Sequence, residues 1–500
     1  MSRCHLGVVL TALGLIGCGE DAKPSYRDAP VQDATRCERP AAPELQGPAR
    51  TVGDGSAASC TFAALRDALA EGGELSFDCG AEPLTISVEE TLRVLDGTSL
   101  DGGGTITLDG GGARRILETE AHSNVLLQGL TFSHGHAKTE AGNTGANGAN
   151  GSGGAVHRGW QAHLYVQDCN FLDNTADGDQ GFGGGALATD SSGWTTLVGC
   201  TFSGNSAPLG GAIHSLLSDL LIVDSHFEDN SATDGDGGAV FTDGAYTPPH
   251  SEHGVEGGTL SLCGSTFVGN SATASAGAGF LYAYGIDQLS INRCEFRDNQ
   301  VTTAEPGLGG ALRLDAQSFV ANSLFVGNQT AGQGGVAWFG RGPIRFENVT
   351  LANNHAELWG GALSYGEVAT ELVNCTLSGN DAGESSGALF GADGALTARN
   401  CLFVDNAGDG HDSDTCRREL SGEHNLVWPA SAQDACGAAP EVLQIEPLLE
   451  ATPADHGGAT ATLALAADSP ALGVGTDCPA TDQRGEPRAP ESCDLGAYER

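Results

Sequence analysis

The chain has 500 residues, of which 75 are glycine and only 6% aromatic, a balance that suits a narrow stacked fold better than a globular enzyme around one large core. Its 23 basic and 64 acidic residues leave a formal net charge of −41. Such a charge repels phosphate backbones and anionic lipid, so nucleic acid is excluded as an expected partner, while cation binding and simple solubility fit.

Arg3 and the apolar run Leu6 to Ile16, too short to cross a bilayer, read as an export signal. The run closes on Leu15-Ile-Gly-Cys18, which resembles the lipobox at which bacterial lipoproteins are cleaved and acylated. The resemblance implies a lipoprotein signal peptide over residues 1–17 and a lipid on Cys18 that anchors the chain to the membrane. Because Gly19 and not Asp follows, it implies the outer membrane, with display at the cell surface expected and a periplasm-facing position as the other arrangement. Residues 18–50, rich in Pro, Ala and charge, read as a flexible tether.

Order is predicted from Thr51. Phe62 to Glu71 has helical spacing and stops at Gly72-Gly73, as a short cap over the end of a stacked fold would. Leu84 to Val88, Leu92 to Val94, Thr105 to Leu108 and Val125 to Phe132 read as strands between Gly- and Asp-rich turns. A unit then recurs. F-x-x-N or L-x-x-N ends at Asn174, Asn205, Asn230, Asn270, Asn299, Asn328, Asn354, Asn380 and Asn406, and G-G-A-type corners begin at Gly153, Gly184, Gly210, Gly237, Gly309, Gly334, Gly360 and, in weaker form, Ser386. The last four asparagines are 26 residues apart, and a second column, Asn322, Asn348, Asn374 and Asn400, keeps the same period. A fixed period of that size with short β-type runs and no amphipathic helix predicts an all-β parallel β-helix over residues 51–440. In each unit the aromatic or Leu should face the core, the Asn should sit at a corner as part of an amide ladder, and the Gly pair should make the next corner. The insertions at 138–152 and 244–257 should loop out of the stack.

The pairing of G-G-A-[ILV] with F-x-x-N resembles the repeats of bacterial polymorphic outer-membrane proteins over about residues 130–406, and that resemblance implies a right-handed β-helix. Those proteins end in a membrane β-barrel, whereas no run of alternating ten-residue strands follows Asn406, so self-translocation is not expected. Asp455-His-Gly-Gly-Ala, Asp468-Ser-Pro-Ala-Leu-Gly, Cys478-Pro-Ala-Thr-Asp-Gln-Arg-Gly485 and Cys493-Asp-Leu-Gly-Ala-Tyr-Glu499 resemble the end module of the choice-of-anchor Q family of secreted β-helix proteins. This resemblance implies a module over residues 441–500 that continues or caps the solenoid. The chain stops one residue beyond the last motif, which leaves the N-terminal lipid as the expected anchor.

Thirteen of the 15 cysteines lie beyond Cys18. Cys169 with Cys200 and Cys375 with Cys401 hold equivalent repeat positions, about 4.8 Å apart on adjacent coils, and are expected to be disulfides. Cys60–Cys79, Cys416–Cys436 and Cys478–Cys493 are expected as local pairs; Cys263 and Cys294 fall off register and Cys37 is left over. An oxidising compartment fits, and with no C-x-x-C pair no metal centre is expected.

Two groupings bear on function. Asp168, Asp173, Asp224, Asp229 and Asp298 fall in two outward columns beside Arg293 and Arg297, and Asp224, Asp229, Arg293 and Arg297 are the catalytic candidates if the chain is a polysaccharide lyase or glycoside hydrolase. The plainer reading is a solvated acidic surface, and no catalytic residue is expected. His157, His214, Phe241, Phe280, Arg313, Trp338 and Phe390 form a column two residues after each G-G-A corner. Facing outward, it would be a stripe of rings and cations for a polysaccharide or protein ligand. Asp-Gly-Asp turns at Asp177 and Asp234, the Asp409-Gly-His-Asp412 turn and the His250-Ser-Glu-His253 loop lack a full ligand set, so Ca²⁺ is the one ion considered and no cofactor is expected. A non-catalytic surface scaffold for adhesion or ligand binding is the leading expectation, with a carbohydrate-active enzyme and a structural envelope protein as alternatives.

Overall fold

The computed structural model describes residues 37–139, 151–178, 182–245, 258–282, 287–303, 305–391, 395–408, 415–429, 434–436, 442–489 and 491–500. The expected signal peptide, Cys18, the His250 to His253 loop and the Asp409 to Asp412 turn lie outside these residues, as does most of both insertions.

Short strands pair in parallel with the strand one coil before and one coil after, giving three sheets of 25, 11 and 10 strands, hereafter the wide, narrow and third sheets. One coil consists of Ile213–Leu216 in the narrow sheet, Asp219–Val223 and His226–Glu228 in the wide sheet, and Ser231–Ala232 in the third. The chain is a parallel β-helix.

Inward positions follow the repeat. Phe132, Phe171, Phe202, Phe227, Phe267, Phe296 and Phe325 are fully buried and stacked face to face with centroids 4.5 to 5.0 Å apart. Each buried ring contributes roughly 2 to 3 kcal/mol by removal from water, and stacking adds to it. Beside them runs the amide ladder. Asn270 Nδ2 donates to Asn299 Oδ1 at 3.0 Å and to the Phe227 carbonyl at 3.0 Å, while Asn299 Oδ1 also accepts from the Asn270 backbone N–H. The same bonds recur from Asn174 to Asn406, all buried.

Left-handed backbone falls not on these asparagines but on the residue before each. Asp173, Gly204, Asp229, Gly269, Asp298, Gly327, Asn353, Gly379 and Asp405 have φ between 52 and 68°. Asp, Asn and Gly are the residues that accept this geometry, and they alternate for a steric reason. The side chains of Asp173, Asp229, Asp298 and Asn353 fold over the glycine of the next coil, where a Cβ would lie 2.5 Å from Asp173 Oδ1 or 2.6 Å from Asp229 Oδ1. The alternation also holds like charges two coils apart, about 9.6 Å.

The predicted helix spans Phe62–Leu69, with Thr61 accepting from the Ala64 N–H as N-cap and Phe62, Leu65 and Leu69 buried against the first coil. Both ends of the chain depart from expectation. From Cys37 the N-terminal segment is no free tether: Cys37 is bonded to Cys263, the Tyr165 hydroxyl donates to the Pro40 carbonyl at 2.6 Å, and Ala42 and Leu45 pack against Leu126, Tyr165, Leu221 and Val223. The segment is a strap running back along the wide sheet to the first strand, Ala49–Gly53. The C-terminal module, residues 442–500, continues the stack only through Val442–Leu443, which pairs in parallel with Asn425–Trp428. It folds back onto the side of earlier coils, where the Asn348 amide donates to the Thr481 carbonyl at 2.8 Å, Asn374 to Asp494 at 3.2 Å and Asn400 to Thr476 at 2.8 Å. The second asparagine column is therefore the seam that holds this module, and Leu402, Leu426, Leu465, Ala471 and Leu495 close an apolar patch beneath it.

Cys60–Cys79, Cys416–Cys436 and Cys478–Cys493 are disulfide bonded. Cys169, Cys200, Cys375 and Cys401, expected to pair, are free buried thiols, as is Cys294. In-register parallel strands hold equivalent Cβ atoms about 4.8 Å apart with their bonds side by side, outside the ~3.8 Å a disulfide prefers. Burial pushes the Cys200 thiol up to about 12, so it stays protonated and inert.

Candidate functional site

The carboxylate candidates sit at the corners between strands. Asp168, Asp173, Asp224, Asp229 and Asp298 occupy left-handed corners with their side chains over the glycines of the next coil. Asp224 Oδ2 also accepts from Arg39 Nε of the strap at 2.7 Å, and Arg39 Nη1 lies 3.7 Å from Asp168. Arg297 pairs with Glu295, two residues earlier on its own strand, and Arg293 takes a left-handed corner itself. The columns were legible because a repeat corner is specific in residue type; what was not legible is that the requirement is conformational.

The ring column lies on the outer face of the narrow sheet, and most of its ring faces are taken. His214 stacks on Phe241 at 5.1 Å and Phe241 on Phe280 at 4.9 Å. The Arg313 guanidinium sits 4.6 Å from the Phe280 centroid and 5.0 Å from that of Trp338, and is held by Asp315 at 2.9 Å. Phe390 stacks on Trp359 at 5.1 Å, with Arg417 over it. His157 and His214 are 4% and 2% exposed, so neither imidazole belongs to an open stripe; His157 Nε2 lies 3.3 Å from buried Asp190. Coil spacing is close to the stacking distance of rings, so adjacent rings cover one another and present only edges.

Among the described residues one group of possible metal ligands comes together, Cys416, Asp434 and Cys436. Both sulfurs are committed to a disulfide, and Asp434 Oδ1 accepts from the backbone N–H of both cysteines at 3.2 and 3.0 Å. The Asp177 turn is bound to His136 at 2.7 Å. No described helix is long and apolar enough to cross a membrane.

The open concavity is on the wide sheet. One outward column runs Leu126, Tyr165, Thr196, Leu221, Ser261, Ser290, Phe319, Arg345, Glu371, Thr397, each in register with the next. Its first members are buried under the strap. From Ser261 to Thr397 the column lines a groove of about 580 Å³, joined at its rim by Gln288, Gln317 and Pro343. Ser261 and Ser290 share a 2.6 Å hydrogen bond. Arg345 donates to Glu371 at 2.7 Å and to Glu347 at 2.5 Å, so the cation in the groove is neutralised twice. Phe319 is the one aromatic residue of the open half of this column, and Ser290 on the coil before is too small to cover its ring. Sequence reasoning missed these residues because outward positions follow no repeat; the signal was a lone Phe in an otherwise polar column.

A family model described as the Chlamydia polymorphic membrane protein (Chlamydia_PMP) repeat matches residues 199–216. These residues hold Phe202, Asn205 and the Gly210-Gly211-Ala212 corner, one inward ring, one rung of the amide ladder and one tight turn. Neither a curated protein nor a solved structure matches the chain. The protein is thus a parallel β-helix that includes a coil similar to that repeat.

Proposed function

We propose that the protein is a lipoprotein of the bacterial outer membrane, displayed at the cell surface, whose β-helix is a non-catalytic scaffold for adhesion or ligand binding. The observation that carries this reading is the division of the outer column: apolar where the strap covers it, polar and open where the groove lies. The repeat match supports a surface or outer-membrane setting, because the polymorphic membrane proteins are named for one. In this reading Cys18 bears the lipid, and the C-terminal module, similar to that of choice-of-anchor Q proteins, stiffens the far coils. The test of placement is palmitate labelling and fractionation of cells making the full chain or its Cys18→Ser variant, with protease added outside intact cells. Labelled, protease-sensitive protein that Cys18→Ser releases from the membrane is expected; unlabelled protein in the soluble fraction would refute the placement.

A carbohydrate-active enzyme is the second reading, and Arg345 between Glu347 and Glu371 is the observation in its favour, since these are charged groups inside a groove. New reducing ends or unsaturated uronate absorbance from polysaccharides, with or without Ca²⁺, would establish it.

A further inference from the structure

Resting on the scaffold reading, we infer that the open half of the wide-sheet column is a binding site for an uncharged glycan laid along the solenoid axis, with one sugar ring stacked on Phe319.

The site must recognise its ligand through side chains. Every strand of the wide sheet from Thr259–Cys263 to Thr370–Val373 pairs on both sides, and Leu396–Arg399 pairs with Thr370–Val373 and bridges to Ser421 beyond it, so the backbone groups are spent and no peptide can add as a further strand. The side chains offered are hydroxyls and amides: Ser261, Ser290, Gln288, Gln317 and Thr397. Such groups give and accept hydrogen bonds without charge, which matches the hydroxyls of a sugar. An acidic polymer is disfavoured by the −41 net charge and by Arg345, whose guanidinium already answers two carboxylates. A strongly basic ligand would have to break those pairs.

Phe319 decides between sugar and mere solubility. Elsewhere in this column large apolar residues occur only beneath the strap, where Leu126, Tyr165 and Leu221 are buried. Phe319 alone lies outside that cover, half-buried, in the register position of Ser290 and Arg345. On the narrow sheet His214, Phe241 and Phe280 cover one another, and Trp338 carries Arg313 on one face; Phe319 has a small hydroxyl residue on one side and an arginine turned away to Glu347 and Glu371 on the other. A face left open in a groove of amides and hydroxyls is suited to the apolar C–H face of a pyranose. The column rises by about 4.8 Å per coil, so five steps from Ser261 to Thr397 provide about 24 Å, enough for several sugar units in a row.

The experiment is affinity electrophoresis of the full-length protein in detergent through gels loaded with dextran, galactomannan or xylan as neutral probes and polygalacturonate or alginate as acidic ones. Retardation by at least one neutral polymer is expected. Phe319→Ala should weaken it about tenfold, and Phe319→Tyr should retain it. Phe319 lies outside the core, so both variants fold, and unchanged circular dichroism verifies this. Three results overturn the inference: no neutral polymer retards the protein, only acidic polymers do, or Phe319→Ala migrates as the parent does. A protein that binds no glycan but is lipidated and surface-exposed would leave the scaffold reading intact while removing this one; a soluble, unlipidated protein that still binds a neutral polymer would do the reverse.

Discussion

Two halves of one column of side chains, with the same backbone register and the same sheet, carry opposite chemistry. Under the strap the column is Leu126, Tyr165, Thr196 and Leu221; beyond it the column is Ser261, Ser290, Phe319, Arg345, Glu371 and Thr397. A parallel β-helix secures its backbone through inward rings and the amide ladder, so outward residues are free to follow whatever covers them. The strap covers five coils and the C-terminal module covers the asparagine seam, and among the described residues the groove from Ser261 to Thr397 lies under neither.

The strongest way to break the comparison is to release the strap. Cys37 and Cys263 are 226 residues apart, so their bond closes a very long loop of the unfolded chain, and Cys37→Ser should lower stability by roughly 3 to 5 kcal/mol. Urea unfolding measures the loss, and protease should then cut between residues 38 and 48. A loss under about 1 kcal/mol with the segment still protected would mean that apolar contacts alone hold the strap.

Next in size is a pH effect beside the strap. His163 stacks on Trp194 at 4.9 Å, and burial, aided by the charge of Arg158, lowers its pKa to about 4. The group is neutral in the folded chain, whereas the unfolded chain takes up its proton near pH 6.5. Stability present above pH 6.5 is therefore lost as pH falls toward 4, by on the order of 3 kcal/mol. His163→Gln should flatten that part of the stability profile. An unchanged slope would show that the imidazole is solvated in the folded state.

A direct comparison within the column comes third. Leu221→Ser, beneath the strap, should cost about 2 kcal/mol, while Phe319→Ser in the open half should cost less than about 1 kcal/mol, both read from urea midpoints. Equal losses would mean that the open half is packed against something the isolated chain already provides.

What the sequence disclosed follows the same division. The Phe and Asn columns were legible because each must fill the same inward position on every coil, and the fold followed from them. The strap was not, since residues 37–48 have no periodicity and Cys37 meets its partner only across five coils. Asn322, Asn348, Asn374 and Asn400 were legible as a ladder, yet nothing in their spacing says that the carbonyls of Thr481, Asp494 and Thr476 would occupy the amides of the last three. The Asp corners were ambiguous for a physical reason: left-handed backbone and acid–base chemistry select the same residue.

The smallest expected effect tests what kind of force holds the strap. Arg39 bridges to Asp224 at 2.7 Å and approaches Asp168 at 3.7 Å, but its side chain is 51% exposed. Water and salt screen such a pair, so Arg39→Ala should cost less than about 1 kcal/mol at low salt and nothing measurable near 1 M, where the screening length is about 3 Å. Hydrogen exchange of the Tyr165 and Val198 strands, compared between parent and variant at both salt levels, measures it. A larger loss at low salt that 1 M salt abolishes would mean that the strap is positioned by charge, and the apolar column beneath it would then be a consequence of that cover and not its cause.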